Sequence, residues 1–303
     1  PTSRRKFVIC IASPIVAALL LAVISYNNLF VGTALGFVLS AGFVVTAILP
    51  RPSDTRPLPF LRRLTGGVRL FAFTPRLRGL LAISLATAAG GAMVFVNTVV
   101  LVQSNFGLSQ QATAWALAAF GGGSMTAAIV LPRLLHSVTD RTAMVLGAGL
   151  MTAVLAAGAI VADTYPILIG LWIAMGFGYS LTITPAGRAL RRSAAPEDRP
   201  ALFAAQFALS HACWLVAYPV AGLVSAEADP RTAFMVLAGL CGLGVVVALS
   251  IWPAHDPLNL LHSHDNLAAD DPHLKEGMTP DGAGAAHAHP VVIDDRHRRW
   301  PKS

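Results

Sequence analysis

Residues Gly79 to Val102 read GLLAISLATAAGGAMVFVNTVVLV, an uncharged run of 24 residues. About 20 mostly apolar residues carry a helix across the hydrocarbon core of a bilayer. Seven more runs meet that length: Phe7 to Ser25, Leu29 to Leu49, Ala112 to Leu131, Ala143 to Val161, Pro166 to Thr184, Ala201 to Val224 and Thr232 to Trp252. Barrel strands would alternate apolar and polar residues over about ten positions, and these runs do not. The expected fold is an all-α polytopic membrane protein with eight transmembrane helices.

Composition excludes the soluble classes. Hydrophobic residues make up 55% of the chain, and with the 26 Gly the share is about 64%, against roughly 45–50% for a globular protein. Charged residues are 12%, too few to cover a water-facing surface. Disorder needs low hydrophobicity, and a disulfide scaffold needs more than three Cys. Cys10, Cys213 and Cys241 sit in apolar runs and read as packing residues.

The net charge of +7 resolves into two parts. From Pro253 onward eight acids face five Lys or Arg, a balance of −3, which leaves +10 on residues 1–252. Those charges lie between apolar runs and form no nucleic-acid-binding face. One set of alternate loops holds Arg4, Arg5 and Lys6, seven Arg from Arg51 to Arg78, Arg133 and Arg141, then Arg188, Arg191, Arg192 and Arg199. The other set holds only Arg231. The positive-inside rule then places the Arg-rich loops, the first residues and the tail in the cytoplasm; a bacterial inner membrane is the expected location.

Four segments follow. Residues 1–49 hold two helices, 50–78 form a linker, 79–252 hold six helices, and 253–303 form a tail. The linker mixes Phe60, Leu61, Leu64, Val68, Leu70 and Phe71 with Arg, the pattern of an amphipathic helix lying on the membrane surface. The chain opens on Pro1, and the two-plus-six arrangement leads us to expect a further portion upstream.

Six spans after a long basic amphipathic loop resemble the second half of a major facilitator superfamily transporter. The resemblance implies a helical bundle in which these eight helices are the last of twelve. Asp140 and Arg141 fall where the family's second-half copy of its Asp-Arg gating-loop motif lies; the motif's second Gly and following basic residues are absent. Thr74-Pro-Arg-Leu-Arg-Gly-Leu-Leu, the Gly90-Gly91 run through Val102, Ala118-Ala-Phe-Gly-Gly-Gly-Ser-Met and a His-rich tail are similar to the nickel/cobalt-resistance efflux branch. That resemblance implies secondary active export driven by protons, with two six-helix halves rocking about a central site.

Seven of nine His follow Pro253: His255, His262, His264, His273, His287, His289 and His297. Neutral imidazole suits nickel, copper and zinc, and the interspersed Asp can complete a shell. A divalent metal is thus a candidate tail ligand or substrate, and no resident cofactor is expected. Low apolar content makes the tail read as largely disordered when free. The alternative is a solvated tail that binds nothing.

Within the spans, ionisable residues are costly and mark function by default. No Asp or Glu lies mid-span, and Asp163 reads as a loop residue. His211 sits near the middle of its run. It shares a helical face with Phe207, Trp214 and Tyr218, while Gln206, Ser210 and Cys213 form a neighbouring face. His211, Gln206, Trp214 and Tyr218 are candidates for a substrate cavity, with His211 as metal ligand or proton relay; simple packing against a neighbouring helix is the alternative. Asn97 is a further candidate. Thr182 and Thr184 suit bonds to backbone carbonyls.

The leading expectation is a proton-coupled exporter of divalent metal such as nickel or cobalt. Export of organic compounds with a regulatory tail, and metal sensing without transport, stand beside it. An enzyme would need clustered catalytic groups near an interface, and none is present. Expected partners are the lipid bilayer, protons and a small ion or small molecule. No nucleic acid and no obligatory protein partner are implied.

Overall fold

The computed structural model describes residues 26–46, 60–256, 259–263, 286–289, 291–293, 297 and 300. The chain divides into two compact units, Pro1–Leu58 and Pro59–Ser303. The first unit contributes α1 (Tyr26–Thr46), whose residues Val31–Thr46 form an apolar helix of less than spanning length. The run Phe7 to Ser25 lies outside the described residues. Six of the eight expected membrane helices are therefore seen at spanning length among the described residues, all of them in the second unit.

That unit begins with α2 (Phe60–Phe73), the amphipathic helix of the linker. It rests on protein: Leu70 and Phe71 are buried, and Gly67 meets the Ala201 carbonyl at a distance no side chain would allow. After α2 come α3 (Pro75–Val99), α4 (Gln110–Ser137), α5 (Asp140–Val161), α6 (Tyr165–Ile183), the short α7 (Ala186–Arg192), α8 (Arg199–Glu227) and α9 (Pro230–Ile251). Four helices carry Pro in their first turn, at Pro75, Pro166, Pro200 and Pro230. There the missing N–H costs no intrahelical bond. Thr139 caps α5 and Asp229 caps α9, each side chain accepting a backbone N–H of the first turn. At its far end α3 widens into a π-helical turn, Val100–Asn105, and Gly107 at φ 64° turns the chain into α4.

α3 is the centre of the unit. It packs on α9, α8, α5, α6 and α4, and it is the most buried of the six spans. Its middle reads Ala86, Thr87, Ala88, Ala89, Gly90, Gly91, Ala92, and every one of these residues is buried. Lipid tails are as apolar as Leu, so helices associate through close backbone approach and interhelical hydrogen bonds. Polar side chains of α3 supply such bonds. Thr87 Oγ1 donates to Thr182 Oγ1 at 2.9 Å, and Thr98 Oγ1 accepts from Trp172 Nε1 at 2.8 Å, both toward α6. Ser84 Oγ accepts from Gln206 Nε2 at 3.2 Å, and Asn97 Nδ2 donates to the Ala221 carbonyl at 3.2 Å, both toward α8. Thr182 Oγ1 lies 2.7 Å from the Tyr179 carbonyl, the backbone bond its sequence position suited.

α4 packs chiefly on α6, with glycines at the crossing. A Cβ at Gly123 would collide with the Ile173 carbonyl, and one at Gly176 with the Phe120 carbonyl. Because the obstacle is backbone on both sides, no rotamer change relieves it. Gly176→Val is expected to destabilise the unit by about 1–3 kcal/mol, the usual cost of overpacking. A lowered thermal midpoint and a smaller monodisperse fraction in detergent would show it, whereas Gly121→Val, where a Cβ meets nothing within 4 Å, should leave both unchanged.

Candidate functional site

At the Arg-rich end of the bundle, charges from four segments meet. Arg76 opens α3 and is almost fully buried. Its Nε and terminal nitrogen grip Asp256 in the tail at 2.6 and 2.5 Å, a two-pronged pair. The other terminal nitrogen donates to Ser193 Oγ at 3.2 Å and the Arg192 carbonyl at 3.3 Å. Asp140, at the start of α5, is buried under Arg188 of α7, whose Nε lies 2.7 and 2.9 Å from its two oxygens, while Arg192 stands 3.9 Å away. Arg141 points elsewhere. Its Nε donates to the Trp252 carbonyl at 2.8 Å, where a cation complements the C-terminal end of α9. Asp140 and Arg141 thus sit together in sequence but fasten different helices. Burial alone would raise the Asp256 carboxyl, but the hydrogen bonds and charge of Arg76, with help from Trp252 and Arg192, hold it below the ordinary aspartate value.

At mid-depth the open surface belongs to α8, the least buried of the six spans. Phe207, His211 and Tyr218 are exposed on it, and Gln206 and Trp214 are half-buried. His211 Nδ1 lies 2.7 Å from the Phe207 carbonyl, and its ring stacks on Phe207 at 3.9 Å. A carbonyl only accepts, so Nδ1 carries the proton and Nε2 of the neutral ring keeps its lone pair. Trp214 stacks on Tyr218 at 5.0 Å and on Phe95 of α3 at 6.0 Å; Phe95 meets Phe120 of α4 at 5.5 Å, and Phe120 meets Tyr179 of α6 at 5.4 Å. Five aromatic rings from four helices thus form one continuous chain of contacts, with Phe95 and Tyr218 exposed, Trp214 and Tyr179 half-buried and Phe120 buried. Gly91 makes room for it, since a Cβ there would strike the Trp214 ring.

Asn97 departs from its expected place on a cavity wall. It is fully buried between α3 and α8, bonded to the Ala221 carbonyl and 3.4 Å from Met93 Sδ. Gln206 is likewise turned toward α3 through Ser84. Phe95, Phe120 and Tyr179 were not among the sequence candidates. Nothing in a single apolar run distinguishes a ring on the open surface from one facing lipid.

The Major Facilitator Superfamily profile matches residues 80–269. The chain belongs to the major facilitator superfamily. No curated protein matches it. It is therefore a secondary transporter and an integral multi-pass membrane protein, not an enzyme. For this superfamily member the α8 surface and the Arg-rich end are the two places where helices and charges converge. Asp163, at the opposite end, forms an exposed ion pair with Arg231 at 2.9 Å, beside a pocket of about 380 Å³ lined by Leu101, Asn105 and Phe234 among others. Among the described residues no three His, Cys, Asp or Glu side chains gather to hold a metal ion.

Parts of the tail are described. Leu260–Ser263 (β1) pairs antiparallel with Ala286–His289 (β2), and Val291, Ile293 and His297 are buried. Trp300 lies over the Arg76 guanidinium, 5.8 Å from its ring centroid. His255 is exposed. His262, His287 and His289 lie in the strands, while His264 and His273 fall outside the described residues.

Asp256→Ala would leave Arg76 buried without its partner, a change that costs about 3–5 kcal/mol. The double variant Arg76→Met/Asp256→Leu should recover most of that loss, read as the midpoint of thermal unfolding in detergent. Because the Asp256 carboxyl is held low, its contribution is complete above the unfolded aspartate value of about 3.9 and fades only as pH falls below it. The gap between wild type and Asp256→Ala should therefore be constant from pH 7 to 5 and close in stronger acid.

Proposed function

We propose that the chain forms the C-terminal part of a proton-coupled exporter of organic compounds, with the α8 surface as its substrate face and His211 as its proton site. The observation that carries this reading is the chain of aromatic contacts through Phe95, Phe120, Tyr179, Trp214 and Tyr218 beside an imidazole. Ionisable groups at membrane depth face a bundle interior or a water-filled cavity. An exposed His211 beside the exposed rings of Phe207, Phe95 and Tyr218 therefore belongs on the inner side of a larger assembly, as in transporters whose two halves rock about a central site. Rings in this arrangement offer π-faces to planar and cationic substrates. Protonation of His211 at Nε2 leaves its bond to the Phe207 carbonyl intact, so the charge can come and go without rebuilding the helix. By the positive-inside rule the Arg-rich end and the tail are cytoplasmic.

A second reading, export of a divalent metal such as nickel or cobalt, is favoured by the concentration of His after Pro253. It assigns capture of the ion to the tail and passage to His211. The two readings separate on substrate. Nickel accumulation in cells expressing the protein, compared with an empty vector, decides the metal reading; no difference ends it.

For the organic reading, proteoliposomes with an imposed pH gradient should accumulate a planar aromatic cation such as ethidium. Trp214→Ala should weaken its binding by about 2- to 12-fold, the worth of one aromatic pair. His211→Ala should abolish gradient-driven accumulation and spare exchange of labelled for unlabelled substrate. Gradient-driven accumulation at the wild-type rate by His211→Ala would remove His211 from the coupling.

A further inference from the structure

We propose that the hydroxyls of Tyr179 and Tyr218 determine specificity at the aromatic rings of α3, α4, α6 and α8, and that they select planar aromatic compounds carrying a carbonyl group. The inference rests on the organic-export reading and narrows its substrate class.

The chain of ring contacts runs Tyr218, Trp214, Phe95, Phe120, Tyr179, so it begins and ends in a phenol. Tyr179 also meets Phe95 directly, at 6.5 Å and 89°. Although Tyr218 lies on α8 and Tyr179 on α6, the two phenols stand within electrostatic reach of each other. The polar ends of the chain therefore serve one region of the bundle, with the apolar rings between them.

The fold uses neither hydroxyl. Tyr165 shows the ordinary case: its hydroxyl donates to the Ala112 carbonyl at 2.8 Å and fastens α6 to the start of α4. Tyrosine hydroxyls in packed surroundings usually find such a partner. Among the described residues those of Tyr179 and Tyr218 have none, and neither is sealed inside the packing. Tyr179 is half-buried and Tyr218 is exposed. Their rings are held by neighbours, Tyr179 edge-on to Phe95 and Phe120, and Tyr218 against Trp214. Each hydroxyl is thus presented from a ring already fixed by packing, the condition for a preorganised contact.

Selectivity follows from the two kinds of group. Ring faces attract any planar compound. A phenol O–H is a directional donor, and a carbonyl oxygen, with two lone pairs, can accept from one hydroxyl or from both. A compound without an acceptor would displace water from the hydroxyls and give nothing back, and a donor left unpaired in this way is costly.

The test measures equilibrium binding of two naphthyltrimethylammonium probes, one with a ring acetyl group and one without, to the full chain in detergent. The probes share charge and ring system, so the ratio of their dissociation constants isolates the carbonyl. Wild type should favour the acetyl probe by about 2- to 12-fold, the worth of one neutral hydrogen bond. Tyr179→Phe and Tyr218→Phe should each lower that preference, and the double variant, which keeps both rings, should erase it. Tyr165→Phe, whose hydroxyl serves α4–α6 packing, should keep the wild-type preference. An undiminished preference in the double variant would overturn the proposal, and so would an equal loss in Tyr165→Phe. Saturable binding of both probes by wild type with no preference between them would end this proposal and leave the organic-export reading standing. No saturable binding of either probe would end both.

Discussion

The second unit depends on one constraint: α3 must satisfy its polar side chains inside a packed bundle. In the hydrocarbon region no water stands ready to replace a missing partner. Thr87 and Thr98 are eleven residues apart, three turns of helix, and so lie on the same side of α3. Their partners Thr182 and Trp172 run the other way along α6. Two bonds of this kind fix both the rotation and the axial register of the antiparallel pair. Ser84 and Asn97 do the same for α8 through Gln206 and Ala221. The Ala-Gly middle of α3 makes these bonds reachable, because small residues let the helix axes approach closely enough for short side chains to meet.

The same constraint explains which features the sequence disclosed. Membrane helices announce themselves by length and apolarity, so the six spans from α3 to α9 were legible to within a few residues, and the linker's alternating Arg and apolar residues marked α2. Which side of each span is buried was not legible. In water, a buried face is apolar and an exposed face polar; in lipid both are apolar, and the contrast vanishes. Asn97 therefore read as a candidate for a polar cavity although it sits fully inside the α3–α8 packing, and Phe95 and Tyr179 passed unnoticed within apolar runs. His211 was legible because an imidazole at mid-span is rare whatever it faces.

Partner choice among charges was equally hidden. Asp140, Arg188 and Asp256 are far apart in sequence, and nothing local says that Asp140 takes Arg188 while Asp256 takes Arg76. What the sequence did contain was their side: all lie in loops or tail on the Arg-rich end, so the pairing options were bounded before the fold was known. Strand pairing in the tail was not visible for a related reason. Segments of four residues carry too little pattern to announce a sheet, and the pairing depends on where Trp252, Asp256, Ile293 and Trp300 fasten the flanking chain.

The two ends of the bundle are held very differently, and this asymmetry bears on how a half of such a transporter moves. At the Arg-rich end, Arg76 and Asp256 have side chains 5% and 14% exposed, and Asp140 is covered by Arg188. Separating buried pairs leaves uncompensated charge and costs several kcal/mol. At the opposite end the bridge is Asp163–Arg231, with side chains 67% and 58% exposed, and surface pairs of this kind are worth about 0–1 kcal/mol. That same end contains the π-helical turn that finishes α3, and Pro219 interrupts the bonding of α8 on the way to it. Separating the contacts between helix ends is therefore cheap at the Asp163 end and expensive at the Arg76 end. Asp256 and Trp300 fasten the tail to Arg76, so their contacts belong to the end of the half whose separation costs most.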